Sequence, residues 1–370
     1  MAGIYLHIPF CKRRCIYCGF YSSTLSGLKE AYVEALCREI SQRKAYLAGE
    51  PVRTIYLGGG TPSQLTIEEL RQIFQTLSAT FDLSGVKEVT LEANPDDLTP
   101  PYVEGLTTLP INRLSMGVQS FDDQMLQRLN RRHTAQQARE AVRRCREAGF
   151  RNLSIDLIYG LPGEREADLA RDLEEALALE VEHLSAYHLM IEEGTPLHRL
   201  WQEHQVEEAD EELSLRLYEL LTQRLRQAGY HHYEISNFAL PGYESRHNSG
   251  YWDGTPYLGC GAAAHSYNRQ SREWNIASVE AYINNRNSER EELDVATRYN
   301  ERVMMALRTS KGIDLEALRH TFGADYHAYL LKQARPFLQA GQMEERSGRL
   351  RLTHQGVMIS DEIIAELFTV

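Results

Sequence analysis

Six short runs rich in β-branched and apolar residues, each followed by helical amphipathic spacing, constrain this chain more than any other feature. The runs are IYLHI (4–8), TIYLG (54–58), VTLEA (89–93), RLSMGV (113–118), LSIDLIYG (153–160) and HLSAYHLMI (183–191). Between them lie helical patterns such as LKEAYVEALCREISQRKAYL, IEELRQIFQTLSATF, AQQAREAVRRCREAG and ADLARDLEEALALE. Strands that must return parallel to their neighbours need long crossovers, and a helix is the usual one. Six such units in series predict an α/β fold with a parallel sheet inside and helices outside. A partial (β/α)6 barrel accounts for the series better than a flat doubly wound sheet. At 370 residues the chain is long enough for this unit and a second, smaller one.

Barrel enzymes assemble their sites at strand C-terminal ends, and the unusual residues gather there. Cys11, Cys15 and Cys18 follow the first run, and Gly58-Gly59-Gly60-Thr61-Pro62 follows the second. Glu92 ends the third, Gln119 the fourth, Asp156 lies in the fifth, and Tyr187 and His188 sit late in the sixth. The spacing CxxxCxxC brings three thiolates onto one tight loop. A structural zinc site wants four protein ligands. On a four-iron cubane, three thiolates leave one iron open to a small molecule. A zinc knuckle completed by His7 is the alternative. The glycine run removes every Cβ, so backbone groups can approach a ligand closely, or else it is simply a tight strand-to-helix turn. Glu92 and Asp156 read as ligand acceptors or as ordinary caps and ion-pair partners. Gln119 can donate and accept. Arg131, in NRRH, is either a carboxylate partner through its planar fork or a solvated surface arginine.

Composition narrows the partners. Hydrophobic content of 42% and charged content of 25% are those of a soluble globular protein. No apolar run approaches a membrane span and no signal-peptide pattern opens the chain. Six cysteines without framework spacing point to a reducing cytoplasm, with Cys37, Cys145 and Cys260 as small buried apolar residues. A net charge of −12 argues against nucleic acid as a partner, while leaving room for a local basic pocket. Residues 1–235 are expected to form the barrel, 236–283 a connecting region, and the polar run 284–295 a linker. Residues 295–370 resemble a small helical, winged-helix-like domain. With ten Lys and Arg against nine Asp and Glu and no basic stripe, that domain reads as a lid or docking surface rather than a DNA binder.

The cysteine spacing resembles the radical S-adenosylmethionine (SAM) signature. HIPFC…C…YC, LGGGTPS, LEANPDDL, LSMGVQSFDD, LNRRH and IDLIYGLPG together resemble the oxygen-independent coproporphyrinogen III oxidase family of radical SAM proteins, over nearly the whole chain. The resemblance implies that Cys11, Cys15 and Cys18 hold a [4Fe-4S] cluster. It also implies that Tyr5, Tyr17, Gly59, Gly60, Thr61, Glu92, Gln119, Arg131 and Asp156 surround SAM, with Tyr17 packing on the adenine. Two features depart from the decarboxylating oxidases. Phe20 stands where they carry a further cysteine, and their extra N-terminal segment does not precede the first run. Instead, residues 247–252, His-Asn-Ser-Gly-Tyr-Trp, are similar to the HNxxYW motif of HemW-type heme chaperones. That family binds heme and passes it to apo-hemoproteins. The function implied is a cytoplasmic heme chaperone on a radical SAM barrel, with peripheral membrane contact through its clients compatible with this. SAM cleavage is compatible too, whereas radical decarboxylation of porphyrinogen propionates, the oxidase alternative, is not expected. His247 reads as an exposed imidazole for the heme iron, beside Tyr251 and Trp252 as stacking faces and Arg246 as a propionate partner. The same residues could instead cap a turn and fill a domain seam. His265 is the second candidate ligand.

Overall fold

The computed structural model describes residues 1–284 and 288–369. Six parallel strands lie side by side in sequence order: β1 (Ala2–Ile8), β2 (Val52–Gly59), β3 (Glu88–Ala93), β4 (Arg113–Gln119), β5 (Leu153–Tyr159) and β6 (His183–His188). A doubly wound sheet would reverse its strand order at a switch point. This one never does, and the partial (β/α)6 barrel is the fold observed. The crossovers carry α1 (Lys29–Gln42), α2 (Ile67–Thr80), α3 (Pro100–Leu106), α4 (Asp123–Arg128) with α5 (Ala135–Glu147), and α6 (Glu166–Ala178). Capping boxes at Thr66/Glu69 and Thr134/Gln137 fix where α2 and α5 begin. After β6 come α7 (Pro196–Gln202) and α8 (Glu211–Gln227).

Alternation along the strands sorts the two faces of the sheet. Ile4, Leu6, Ile8, Ile55, Leu57, Leu91, Leu114, Met116, Leu153, Ile155 and Leu184 are buried and share one core with Leu36, Ile40, Leu70 and Ile73 of the helices. Each such side chain stabilises the fold by about 1.5–3 kcal/mol. A one-residue slip would put the polar set against the helices. That set, Tyr5, Tyr56, Thr90 and Arg113 in register across four strands, with Glu92, Ser115 and Asp156, faces the inside of the barrel.

The sheet stays open and grows at both edges. Beyond β6 lie the antiparallel β7 (His231–Glu234) and β8 (Asn237–Ala239), in the order β6-β8-β7. Beyond β1 come the parallel β9 (Tyr257–Cys260), then β10 (His265–Tyr267), β11 (Ser271–Asn275) and β12 (Ser288–Glu292), antiparallel in turn. The helices of this stretch are α9 (Arg246–Asp253) and α10 (Val279–Asn284). Residues 236–283, expected as a connecting region, thus supply four strands to the main sheet. Of the expected linker, 285–287 lie outside the described residues and Ser288–Glu292 is a strand. These strands of three to five residues are too short for alternation to reveal.

The C-terminal part runs α11 (Val295–Leu307), β13 (Ile313–Asp314), α12 (Leu315–Phe322), α13 (Ala324–Gln339), β14 (Met343–Arg346) and β15 (Arg349–Leu352). This is a winged-helix order, with a three-stranded antiparallel sheet and a separate core around Tyr299, Val303, Leu330 and Ile363. Two short helices, α14 (His354–Val357) and α15 (Ser360–Glu366), complete it. No helix among the described residues is long and apolar enough to cross a membrane.

Candidate functional site

Three free thiols follow β1 on an irregular loop. The loop is tied down by Cys11 N–H donating to Ser23 O at 2.9 Å and Ile16 N–H to Leu129 O at 3.3 Å. Cys11 Sγ lies 3.3 Å from Thr61 Oγ1, and Arg131 Nη1 donates to Cys15 Sγ at 3.3 Å. Burial pushes the thiols of Cys11 and Cys18 up, and mutual repulsion with Cys15 adds to it. Such a set ionises readily only around a shared positive centre. His7, the fourth ligand of the zinc alternative, is engaged on both ring nitrogens. Nδ1 is 3.1 Å from Tyr5 Oη and Nε2 is 3.1 Å from Tyr21 O, and desolvation holds its pKa down at about 4. Among the described residues no three His, Cys, Asp or Glu side chains close around one ion position. Three thiols with no available fourth ligand fit a four-iron cluster, whose ligands sit on separate irons, better than zinc.

The glycine run packs directly beneath this loop. Gly59 has φ +107°, and a Cβ there would sit 2.4 Å from the His7 ring. A Cβ on Gly60 would meet the Pro9 backbone at 2.7 Å, and one on Gly58 would meet Glu92 Oε1 at 2.9 Å. Glu92 is held by Gly59 N–H at 3.1 Å and Tyr56 Oη–H at 2.7 Å. Burial raises its carboxyl to about 7; the Tyr56 hydrogen bond opposes this and the charge of Asp156 adds to it. Asp156 is itself raised by burial, against hydrogen bonds from Ser185 and Ser115 and the pull of Arg113 beneath.

Gln119 ends β4 in the left-handed region at φ +72°, at a break in the β4–β5 register. Backbone strain of this kind collects at functional sites. Its amide and the Arg131 guanidinium converge above Gly117, where a Cβ would lie 2.8 Å and 3.2 Å from them. Arg131 is no solvated surface residue. Nη2 donates to Asn94 Oδ1 at 2.7 Å and to Gly117 O, while its buried Nε has no partner. That orphaned donor beside the cysteines suits a ligand carboxylate. Burial raises the Tyr17 hydroxyl, and the charges of Arg131 and Cys15 act on it. Tyr17, Gly59, Gly60, Thr61, Glu92, Gln119, Arg131 and Asp156 therefore form one linked set around the cysteine loop. Tyr5 sits deeper, stacked on Tyr56 at 6.1 Å between ring centres. His188 turns away to Ser214, 3.0 Å from its Oγ.

A cavity of about 800 Å³ lies at the other end of the same strands. The starts of β1 and β2, helix α9 and the C-terminal domain line it, with Tyr233, Tyr251, Trp252 and Tyr257 as aromatic walls. Ser245 caps α9, and the Glu88 carboxylate accepts from Arg246 and His247 N–H at 2.9 Å each, drawing the helix onto the barrel floor. The exposed imidazole expected at His247 is thereby corrected. Its ring is 3% exposed, Nδ1 lies 2.8 Å from Thr54 Oγ1 and Nε2 2.9 Å from Tyr251 Oη. Desolvation lowers its pKa to about 3. Gly3 makes room for it, since a Cβ there would come 3.1 Å from the ring. His265 is exposed on β10, stacked on Trp274 at 5.9 Å. Sequence reasoning missed His231. It lines the cavity, is exposed, and its ring has no hydrogen-bond partner among the described residues. The run YHHYE was the available signal, a histidine pair between tyrosines on a four-residue strand.

Residues 5–176 match the radical SAM superfamily and residues 293–359 the HemN C-terminal domain. The chain is 33% identical over 364 residues to the heme chaperone HemW of Lactococcus lactis subsp. lactis, covering 97% of this chain and 95% of that protein. It is 32% identical over 371 residues to the HemW of Bacillus subtilis, covering 98% of each. The HemW of Escherichia coli is 36% identical over 265 residues, 71% of this chain and 69% of its own length. The solved coproporphyrinogen III oxidase (HemN) of Escherichia coli, described as a radical SAM enzyme, superposes with a TM-score of 0.85 at 23% identity. That match covers 100% of this chain and 90% of the oxidase, and shows the same fold.

Proposed function

Because the chain belongs to the HemW family of radical SAM proteins, we propose that it binds heme and delivers it to apo-hemoproteins. In this reading a [4Fe-4S] cluster and SAM occupy the opposite end of the barrel. The observation that carries the proposal is the placement of HNSGYW as one wall of a large cavity lined by aromatic rings and cations, on a chain of net charge −12. An iron porphyrin presents flat apolar faces and peripheral carboxylates, and this lining complements both. His231 offers the iron a free imidazole, whereas both nitrogens of His247 are engaged by Thr54 and Tyr251.

At the cluster end, a bound cluster with one open iron supplies the electron for cleaving SAM. The chain's own residues bind and orient. Cys11, Cys15 and Cys18 are the cluster ligands. Gly59 and Gly60 let backbone come close, the free Nε of Arg131 meets the SAM carboxylate, and Glu92 and Asp156 accept from its ammonium and ribose hydroxyls. Anaerobic titration of cluster-loaded protein with heme tests the first half of the proposal. Saturable binding near one heme per chain, followed by transfer to an apo-hemoprotein, is expected. A folded, cluster-loaded protein that binds no heme refutes it. Incubation with SAM, reductant and coproporphyrinogen III should give no protoporphyrinogen; its formation over multiple turnovers would make the chain an oxidase.

A further inference from the structure

The cavity holds more unpaired positive charge than a porphyrin with two carboxylates can meet. Arg53, Lys87, Arg246, Arg302 and Lys311 line it, and none has a carboxylate partner among the described residues. Arg53 reaches only Gly85 O, at 2.9 Å, and Arg302 only Asp253 O, at 2.8 Å. Other cations on the lining are already matched: Arg349 pairs with Asp314 at 2.9 Å, and the amino terminus pairs with Glu50. The acids of the lining are Glu244 and Asp253, and Asp253 is turned toward Thr255, accepting from its hydroxyl at 2.6 Å.

Their placement says more than their number. Arg53 and Lys87 stand at the starts of β2 and β3, Arg246 opens α9, Arg302 lies on α11, and Lys311 sits just before β13. The cations thus come from three separate walls. The two propionates of heme leave adjacent positions on one edge of the ring, so they meet one wall and leave the others facing apolar substituents. Like charges gathered without counterions repel one another, and a bound anion relieves that repulsion. Five cations against two lining acids leave an excess of three. A ferric porphyrin with four ionised carboxylates carries roughly three net negative charges and ferric heme roughly one.

We propose that the preferred ligand of this cavity is an iron porphyrin bearing four carboxylate side chains around its perimeter, with heme a weaker ligand of the same site. This rests on the porphyrin-carrier reading above and names the class of porphyrin carried. The test is a pair of Soret titrations of the intact, cluster-loaded protein, one with iron coproporphyrin III and one with heme, each at low and at moderate salt. Iron coproporphyrin should bind about tenfold or more tightly, with the steeper loss of affinity as salt rises. Substituting the exposed lysines, Lys87→Met with Lys311→Met, should bring the ratio of the two affinities close to one, and the exposed positions keep the variant foldable. Equal or tighter heme binding by the wild-type protein, or an unchanged ratio in the variant, overturns the inference and leaves the heme-carrier reading standing. Binding of neither porphyrin overturns both.

Discussion

At the scale of single residues, Glu92 is where geometry and charge are most tightly coupled. It is hydrogen-bonded by Gly59 and Tyr56, with its carboxyl raised by burial to about 7 from an ordinary 4.5. The folded chain therefore binds more protons than the unfolded chain between those two values. Glu92's contribution to stability is full below pH 4.5 and falls as pH rises through about 7. The change is on the order of 3 kcal/mol before it is discounted for screening by solvent. Glu92→Gln should flatten this slope, which urea denaturation at pH 5 and pH 8 would read; an unchanged slope would put the titration elsewhere. A cationic ligand reverses the preference, because it binds the ionised form. SAM affinity should therefore rise from pH 6 to pH 8 in the wild type and stay low and flat in the variant, as equilibrium dialysis would show. Glu92 and Gln119 stood out in the sequence because each is a polar residue closing an apolar strand, whereas Arg131, in the loop after α4, was singled out by the family resemblance and its burial shows only in the fold. His247 was misread as exposed because its burial depends on Glu88 and Thr54, far away in the chain.

Among the elements, the end of β2 shows how local geometry serves the site. Gly59 needs φ +107° and lies against the His7 ring, so Gly59→Ala meets both a left-handed backbone and a contact of 2.4 Å. The backbone part alone costs about 1–2 kcal/mol. Displacing His7 also loosens Tyr5 and the return of the cysteine loop at Tyr21. The expected outcome is a folded protein with reduced iron per chain after anaerobic reconstitution. Thr66→Ala is the control: it removes the α2 capping box, costs about 1 kcal/mol, and should leave iron content unchanged. Equal iron in both variants would detach the glycine run from the cluster. The six parallel strands and their helices were legible because runs of six to eight residues carry a clear period. The short flanking strands, three to five residues long, are set by their pairing in the folded sheet, and no local pattern announces them.

For the whole molecule, the barrel separates the two candidate sites by the length of its own strands. Thr54 touches the cavity and Gly59 the cysteine loop, five residues apart on β2, a span of about 16 Å at a strand's rise of about 3.3 Å per residue. Between them runs a packed chain: Tyr251 bonds His247, His247 stacks on Tyr56 at 5.1 Å, and Tyr56 donates to Glu92. Two ligands at opposite ends do not exclude one another, so SAM should not displace heme. Any communication must pass through the His247–Tyr56–Glu92 contacts. Coupling between distinct sites is typically 1–3 kcal/mol, and an undeformed aromatic stack belongs at or below the lower limit. Heme titrations with and without saturating SAM should therefore give the same stoichiometry and affinities within about fivefold. Tyr56→Phe should remove whatever difference remains, since it takes away the hydroxyl that forms the last link to Glu92. The competing geometry places heme against His265 and Trp274 on the sheet's flank, where His265 is near enough to His7 to act on its charge. There SAM and heme would crowd one opening, and saturating SAM would lower heme affinity far more than fivefold. Strong competition would thus move the heme site from the cavity to that flank, and its absence would keep the two ends of the barrel as two separate sites.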